Sequence, residues 1–530
     1  MIFTSYEFVL VFLPIVVLVV YGASALGQRT LAKLLLFAAS LAFYAWWNPQ
    51  YVVLLLALTC FNYLVGSWLI HTAGDESAAR RRFALAVFGV AANVGVLVYY
   101  KYANFFVQVA SDVTGVQFAI GQILLPLGMS FIIFQKIAFL VDAYGGQVQR
   151  LSLLDYALFV SFFPQLIAGP IVHHREIIPQ LQSDTSLRYL RRVVPIAITF
   201  FVIGAFKKVI IADQLAPRAA GVFSTEMGSH LDAFSAWIGT LTFTLQVYFD
   251  FSGYSDMAIG LGLLFGIRLP FNFNSPLKAA NMLDLWSRWH MSLTRFLTAY
   301  IYSPLALRAT RRWMGAGKKV STRGVMSGGA FVRLLMTPTL ITMAIAGLWH
   351  GAGWQFVAFG VLHGVYLVIN HAWRNFRYAG KPPPPTPGRL AISRTITFIA
   401  FVISIPFFRA DSLTTAWHVL TSMAGAHGLG LHAAVGDGKF LSLLALVLVA
   451  SQILPNTQEI LHDRLEAATA PLEKHAGAGK ALGGGAVGPA WSWPHLVWKP
   501  SMVWALAVGA VAWYVVLNMA APSEFLYFQF

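Results

Sequence analysis

Charge is scarce in this chain. Only 11% of its 530 residues are Asp, Glu, Lys or Arg, against about 25% in an ordinary soluble protein, and the shortfall excludes a large soluble enzyme. Cysteine is nearly absent. Cys60 stands alone, so no disulfide framework or cysteine-based metal site can form within the chain, and its apolar surroundings read as those of a small core residue. No His-Glu-x-x-His or comparable ligand cluster occurs, so no metal centre is expected. No internal repeat is visible either, which counts against a transporter built from two related halves. Acids are outnumbered by bases, 21 to 37, for a formal net charge of +16. In a soluble protein that surplus would first point to nucleic acid. Membrane topology produces the same surplus, and no nucleic-acid partner is expected here.

What the chain does have is apolar sequence, 58% of it. Each charge at the bilayer centre costs about 2.5 to 3.5 kcal/mol on insertion scales, so windows free of Asp, Glu, Lys and Arg are diagnostic. Leu34 to Gly74 is such a window of 41 residues, Leu334 to Trp373 of 40, Pro500 to Ser523 of 24 and Val113 to Gln135 of 23. A span needs roughly 20 residues. The first two windows therefore each hold a helix pair, turning at Trp47-Asn48-Pro49 and at Gly351-Ala352-Gly353. Together with other runs they predict an all-α polytopic membrane protein of about 11 spans, with shorter buried pieces near 155–172 and 255–300. The first run, Val9 to Val20, lacks a basic n-region and a small-residue cleavage site and reads as a retained span rather than a signal peptide. We treat 1–530 as a single integral-membrane domain, interrupted by a proline-rich cytoplasmic loop at 372–394 that contains the stiff run Pro382 to Pro385, and by a flexible cytoplasmic loop at 456–499 that contains the Gly/Ala-rich stretch His475 to Gly488.

Orientation follows from the bases. Leu305 to Arg333 carries Arg308, Arg311, Arg312, Lys318, Lys319, Arg323 and Arg333 without an acid. His371 to Arg394 carries Arg374, Arg377, Lys381, Arg389 and Arg394, again without one. Placing these, Arg80-Arg81-Arg82, the Arg188, Arg191 and Arg192 cluster, and Arg29 with Lys33 in the cytoplasm puts both termini, 101–121 and 409–438 on the external side.

Polar residues inside apolar sequence are functional candidates. His350, in Gly347-Leu348-Trp349-His350-Gly351-Ala352-Gly353-Trp354, lies at the middle of a charge-free window. It follows Arg333 by 17 residues, about 25 Å of helix, which places it deep in the membrane. Neutral imidazole there can act as a general base, or simply bond a neighbouring helix. His290 adjoins an apolar stripe of Leu285, Trp289, Leu293, Phe296 and Tyr300 at helical spacing, and acceptor positioning, carbonyl polarisation and helix packing all remain open for it. His363 reads as structural. Asp250 and Asp256, six residues apart, fall on different faces of an ideal helix, which disfavours a paired acid/base dyad. Ser252 and Ser255 lack a nucleophile-elbow context. Lys136 and Asp142 point to internal ion pairing. Phe162 to Pro170, with two prolines and a glycine, suits a broken or re-entrant segment.

Taken in order, Leu125 to Phe131, Phe162 to Pro170, Phe206-Lys207-Lys208, Tyr248 to Gly260, Arg288 to Leu293, Leu348 to Trp354, Phe407 to Ala410 and Tyr527 to Phe530 resemble the membrane-bound O-acyltransferases, in their bacterial, alginate O-acetyltransferase-like branch. The resemblance runs through nearly the whole chain. It implies a ring of tilted helices around a tunnel, with His350 and His290 matching the family's two histidines. His350 would deprotonate a hydroxyl and His290 would stabilise the oxyanion or position the acceptor. Trp349, Arg288, Asp250, Ser252 and Gln165, which lie in these motifs, and Trp286, two residues ahead of the Arg-Trp-His motif, become candidate substrate-binding residues. The implied co-substrate is acetyl-CoA or a similar acyl thioester, with no bound cofactor. The implied partners are that acyl donor, membrane lipid and an extracytoplasmic acyltransferase or polysaccharide-export protein. The implied setting is the bacterial inner membrane. After the Arg-Trp-His motif this chain has Thr298-Ala299-Tyr300 and Pro304 to Arg308, where the alginate-type pattern continues with Arg-Asp-Tyr and Gly-Gly-Asn-Arg, which argues against alginate as the acceptor. The competing reading is a glycan or lipid transporter or flippase with a histidine proton relay. A scaffold without catalysis is a third.

Overall fold

A computed structural model describes residues 1–118, 120–121, 123–183, 187–223, 231–322, 324–381, 383–430, 438–476, 497–519 and 525–526. Arg323, Pro382, the stretch 477–488 and the motif Tyr527 to Phe530 lie outside the described residues.

The chain is an all-α polytopic membrane protein. Among the described residues, eight helices are long and apolar enough to cross a bilayer: Glu7–Ala25, Gln50–His71, Glu76–Thr114, Arg192–Phe223, Gly328–His350, Trp354–Arg377, Pro387–Arg409 and Gly438–Glu466. Further apolar helices are Arg29–Ala45, Met129–Tyr144, Ala233–Leu264 and Met502–Leu517. Among the described residues the one β pairing joins Ser321–Thr322 to Val325–Met326. Both expected helix pairs form, and each turns where the sequence offers poor helix formers, between Ala45 and Gln50 and between His350 and Trp354. Phe162 to Pro170 is broken, with Leu153–Ser161 and Phe163–Leu166 as separate helices and every residue from Asp155 to Val172 buried. Irregular backbone at such a place survives only under protein cover.

Three features add to or depart from the sequence reading. The window Val113 to Gln135 is not one continuous helix: one helix ends at Thr114 and the next begins at Met129, and among the described residues between them, which include the helix-breaking Pro126, no helix forms. The expected flexible loop at 456–499 instead begins with the helix Thr457–Ala476. Leu461 and Leu465, one helical turn apart, are buried, and Glu466 pairs with Arg268 at 2.5 Å. Finally, Arg82 is not a solvated loop base. It is 8% exposed and donates to the carbonyls of Thr72 (3.0 Å) and Tyr144 (2.8 Å). These terminate two helices, where a cation offsets the negative end of the dipole.

The chain divides into two compact units, Met1–Ile210 with Asp250–Phe271 and Pro455–Gln529, and Ile211–Phe249 with Asn272–Leu454. In the first, polar groups are paired across helices. Asn62 and Asn93 exchange amide hydrogen bonds at 3.1 and 2.7 Å. Lys136, fully buried, donates to the Thr59 hydroxyl at 3.0 Å, and Asp142 lies 3.4 Å from His174 and 3.7 Å from Arg175. Burial pushes the His174 imidazole well below its ordinary value, a pull only partly opposed by Asp142. A histidine held neutral in the fold and ordinary when unfolded stabilises fully above its unfolded value of about 6.5, and that contribution is lost as pH falls below it. Thermal unfolding in detergent should therefore occur at lower temperature at pH 5 than at pH 7.5, and His174→Gln should flatten that slope; an unchanged slope would refute the assignment.

Candidate active site

His350 ends the helix Thr337–His350, and Gly351 leaves it in an extended conformation before Trp354 starts the next. The two helices are pressed together at Gly347 and Gly360. A Cβ on Gly347 would collide with the Phe356 carbonyl oxygen, and one on Gly360 with the Met343 carbonyl oxygen. This close approach fixes where His350 stands. Gly347→Ala should thus cost about 1–3 kcal/mol by overpacking and displace the imidazole, read as a lower melting temperature. A wild-type melting curve would contradict it.

Around His350 the walls are aromatic. Its ring centroid lies 4.9 Å from Trp349, 5.2 Å from Phe408 and 6.0 Å from Phe359. Trp349 in turn lies 5.8 Å from His290. The single indole thus sits between the two imidazoles, and His290, Trp349 and His350 are 0%, 4% and 4% exposed. The structure brings together the two histidines that sequence reasoning singled out, 60 positions apart in the chain.

His290 does not lie on a continuous amphipathic helix as its spacing predicted. One helix ends at Trp286, another begins at Met291, and His290 sits in the break with φ 44°. A non-glycine residue in this left-handed region costs free energy, and such strain collects at functional sites. The break is tied down by Asn272 to Asn274: Met291 N–H donates to the Asn272 carbonyl and Asn274 N–H to the Arg288 carbonyl, both at 2.9 Å. The Asn272 side-chain oxygen accepts from Ser292 Oγ (2.8 Å) and Ser292 N–H (3.3 Å) and lies 3.1 Å from His290 Nδ1. Sequence reasoning passed over Asn272. Its one signal is the run Asn272-Phe273-Asn274-Ser275-Pro276, turn formers directly ahead of the Arg-Trp-His motif. This segment lies outside the candidate spans, and burial pushes the His290 imidazole well below its ordinary value, which favours the neutral ring.

The remaining candidates separate by what already engages them. Trp286 Nε1–H donates to His363 Nδ1 at 3.2 Å, and His363 Nε2 lies 2.9 Å from Ser404 Oγ, which donates to the Phe401 carbonyl at 2.6 Å. Since Nδ1 accepts, Nε2 carries the proton, and this donor chain makes His363 a structural link. Arg288 pairs with Asp284 at 2.6 Å and donates to the Asn274 carbonyl at 3.2 Å, closing its own loop. Asp250, Ser252 and Gln165 belong to the first unit, not to the unit of the histidines. Asp250 is held by Lys208 at 2.5 Å and by Leu526 N–H at 3.1 Å. Gln165 Nε2 donates to the Phe159 carbonyl at 2.7 Å. Its Oε1 and the Ser252 hydroxyl, both buried, have no hydrogen-bond partner among the described residues. No group of three or more His, Cys, Asp or Glu is placed to hold a metal ion among the described residues.

Comparison with known proteins decides the family. The model of the membrane-bound O-acyltransferase family matches residues 130–315. A peptidoglycan O-acetyltransferase of Helicobacter pylori is 39% identical over 464 residues, 81% of each chain. The chain belongs to the membrane-bound O-acyltransferase family. The probable alginate O-acetylase AlgI of Azotobacter vinelandii is 36% identical over 80% of this chain and 78% of its own, and a teichoic acid D-alanyltransferase of Streptococcus thermophilus is 27% identical over 53% of this chain and 68% of its own. The family match reaches His290 but stops before His350. As members of one family, these relatives bear names that share acyl transfer and differ in acceptor.

Proposed function

We propose that this protein is a multi-pass enzyme of the bacterial inner membrane that moves an acetyl group from a cytoplasmic acyl thioester, acetyl-CoA or a close analogue, to a hydroxyl acceptor, for O-acetylation of an exported or cell-envelope polysaccharide. The observation that carries it is the buried His290, Trp349, His350 cluster in a chain whose relatives are named O-acetyltransferases. An extracytoplasmic acyltransferase or polysaccharide-export protein is the partner this role calls for.

His350 is the general base of this reading. One ring nitrogen takes the proton of the acceptor hydroxyl as its oxygen attacks the thioester carbonyl. The tetrahedral intermediate collapses by breaking the carbon–sulfur bond, and the proton passes from the imidazolium to the departing thiolate, leaving an O-acyl ester and a free thiol. The apolar wall of Trp349, Phe359 and Phe408 excludes water, which would otherwise compete for the acyl group. Arg308, Arg311, Arg312, Lys318 and Lys319, all exposed, with Lys318 over the Trp313 ring, supply the positive field that draws a phosphate-bearing thioester to the cytoplasmic face.

The test is thioester consumption by the purified protein in lipid, with His350→Ala as the control. Thiol release that disappears in the variant supports the reading. Full activity in a folded His350→Ala protein would overturn it, and substrate movement without thioester consumption would favour a transporter.

A further inference from the structure

The hydrogen bonds at Asn272 determine which nitrogen of His290 carries its proton. An amide side chain offers one acceptor oxygen and one donor nitrogen, and these exchange places if it flips. Here the ambiguity is removed by Ser292. Its backbone N–H, which can only donate, points at the same Asn272 atom as its hydroxyl does, at 3.3 and 2.8 Å. That atom must be the oxygen. His290 Nδ1 lies 3.1 Å from it, so Nδ1 is the N–H donor. A neutral imidazole has one N–H, and the lone pair is therefore on Nε2. The arrangement is not left to one side chain. The neighbouring bond from Met291 N–H to the Asn272 carbonyl at 2.9 Å holds Asn272 against the break, and the left-handed backbone of His290 is maintained by these contacts.

The tautomer limits what His290 can do. A neutral imidazole presenting Nε2 without a proton accepts a hydrogen bond and gives none from that nitrogen. It therefore does not serve there as an oxyanion donor, which needs an N–H or O–H aimed at the developing charge. We propose that Asn272 is a positioning residue that locks His290 in the Nδ1–H form, so that Nε2 receives a hydrogen bond from an O–H or N–H of the acyl acceptor and orients the acceptor for attack. This rests on the acyltransferase reading above and assigns the acceptor side of that site to His290, while His350 takes the reacting proton.

The acceptor class follows from the chemistry. With the reacting hydroxyl given to His350, His290 requires a second donor on the acceptor, a neighbouring hydroxyl or amide N–H. Acetylated sugars and peptide-borne serines both carry one; an isolated monoalcohol does not.

Two measurements test this separately from the parent proposal. In protein with ring-15N histidine, reconstituted in lipid, solid-state NMR reads each tautomer directly, and the His290 signals are those missing from His290→Gln. We expect protonated Nδ1 and bare Nε2 in the unmodified chain. A bare Nδ1 or an imidazolium at neutral pH overturns the proposal, whether or not the protein turns over thioester. The second measurement is ester-linked acetyl on envelope polysaccharide, released by mild base from cells producing each variant at matched protein level. Asn272→Leu should lower it about tenfold to a hundredfold, the scale of losing an outer partner of a functional histidine. Asn272→Asp keeps an oxygen acceptor for Nδ1–H and should restore most of it, with the acid limb of thioester-dependent transfer moved to higher pH because a carboxylate favours the imidazolium. A folded Asn272→Leu protein that acetylates normally overturns the proposal, and should that variant not fold, the NMR result decides. The expected tautomer in a protein that consumes no thioester would instead overturn the parent reading alone.

Discussion

His350→Ala should lower acyl transfer by about 10²- to 10⁴-fold, the usual contribution of a positioned general base, while the protein still folds. The size of the effect follows from the surroundings. The imidazole is 4% exposed, with aromatic rings at 4.9, 5.2 and 6.0 Å, so no bulk water stands ready to take the proton in its place. Those same rings, and the packing of Gly347 on Gly360, do not depend on the imidazole, which is why the fold should survive. His350→Gln separates the two contributions of the side chain. Glutamine retains hydrogen-bonding groups and most of the volume but has no basic nitrogen, so it should be as inactive as alanine while melting closer to the unmodified protein. The measurement is free thiol released from acetyl-CoA per unit time, with circular dichroism and melting in detergent as the check on folding. If glutamine at 350 supports normal turnover, His350 orients substrate without taking a proton, and the base lies elsewhere.

Much of this site was legible before any coordinates. A histidine at the centre of 40 residues without Asp, Glu, Lys or Arg is costly enough to demand a reason, and the Gly351-Ala352-Gly353 turn beside it was readable from composition alone. His290 was legible only through the motif around it. Its helical spacing described a continuous stripe, whereas the chain breaks between Trp286 and Met291, because backbone bonds from Asn272 and Asn274 outweigh local propensity. Periodicity reports one element's faces, and such a bridge between segments has no period. The same reason hid the partners of Asp250 and Asp256. Both aspartates stood out as charges in apolar sequence and Lys207-Lys208 only as part of a motif of the resemblance, but spacing within one segment does not say which other segment it meets. Here a π-type turn at Phe206–Ala212 carries both lysines, and Gly204 lets its helix approach the Gly253 carbonyl closely.

Lys208→Met should be among the most destabilising single substitutions in the first unit. Lys208 and Asp250 are 5% and 1% exposed and 2.5 Å apart. Removing one partner of a buried pair strands the other's charge, at about 3–5 kcal/mol. The stranded group here is the carboxylate that also accepts from Leu526 N–H, so the damage should extend to that segment, whose Phe525 ring stacks on Tyr254 at 4.6 Å. Lys207→Met should cost less: its pair with Asp256 at 2.6 Å is 14% and 13% exposed, water screens part of the loss, and the Thr457 hydroxyl still donates to Asp256 at 2.6 Å. The decisive comparison is the double variant Lys208→Met/Asp250→Asn. It leaves no buried charge and retains an amide oxygen for Leu526 N–H, so it should melt several degrees above Lys208→Met. If Asp250 serves only this internal linkage, the double variant should also regain acyl transfer. If instead the carboxylate binds the acceptor, as its motif first implied, stability will return without activity, and Asp250 then belongs to the substrate site despite the lysine that holds it.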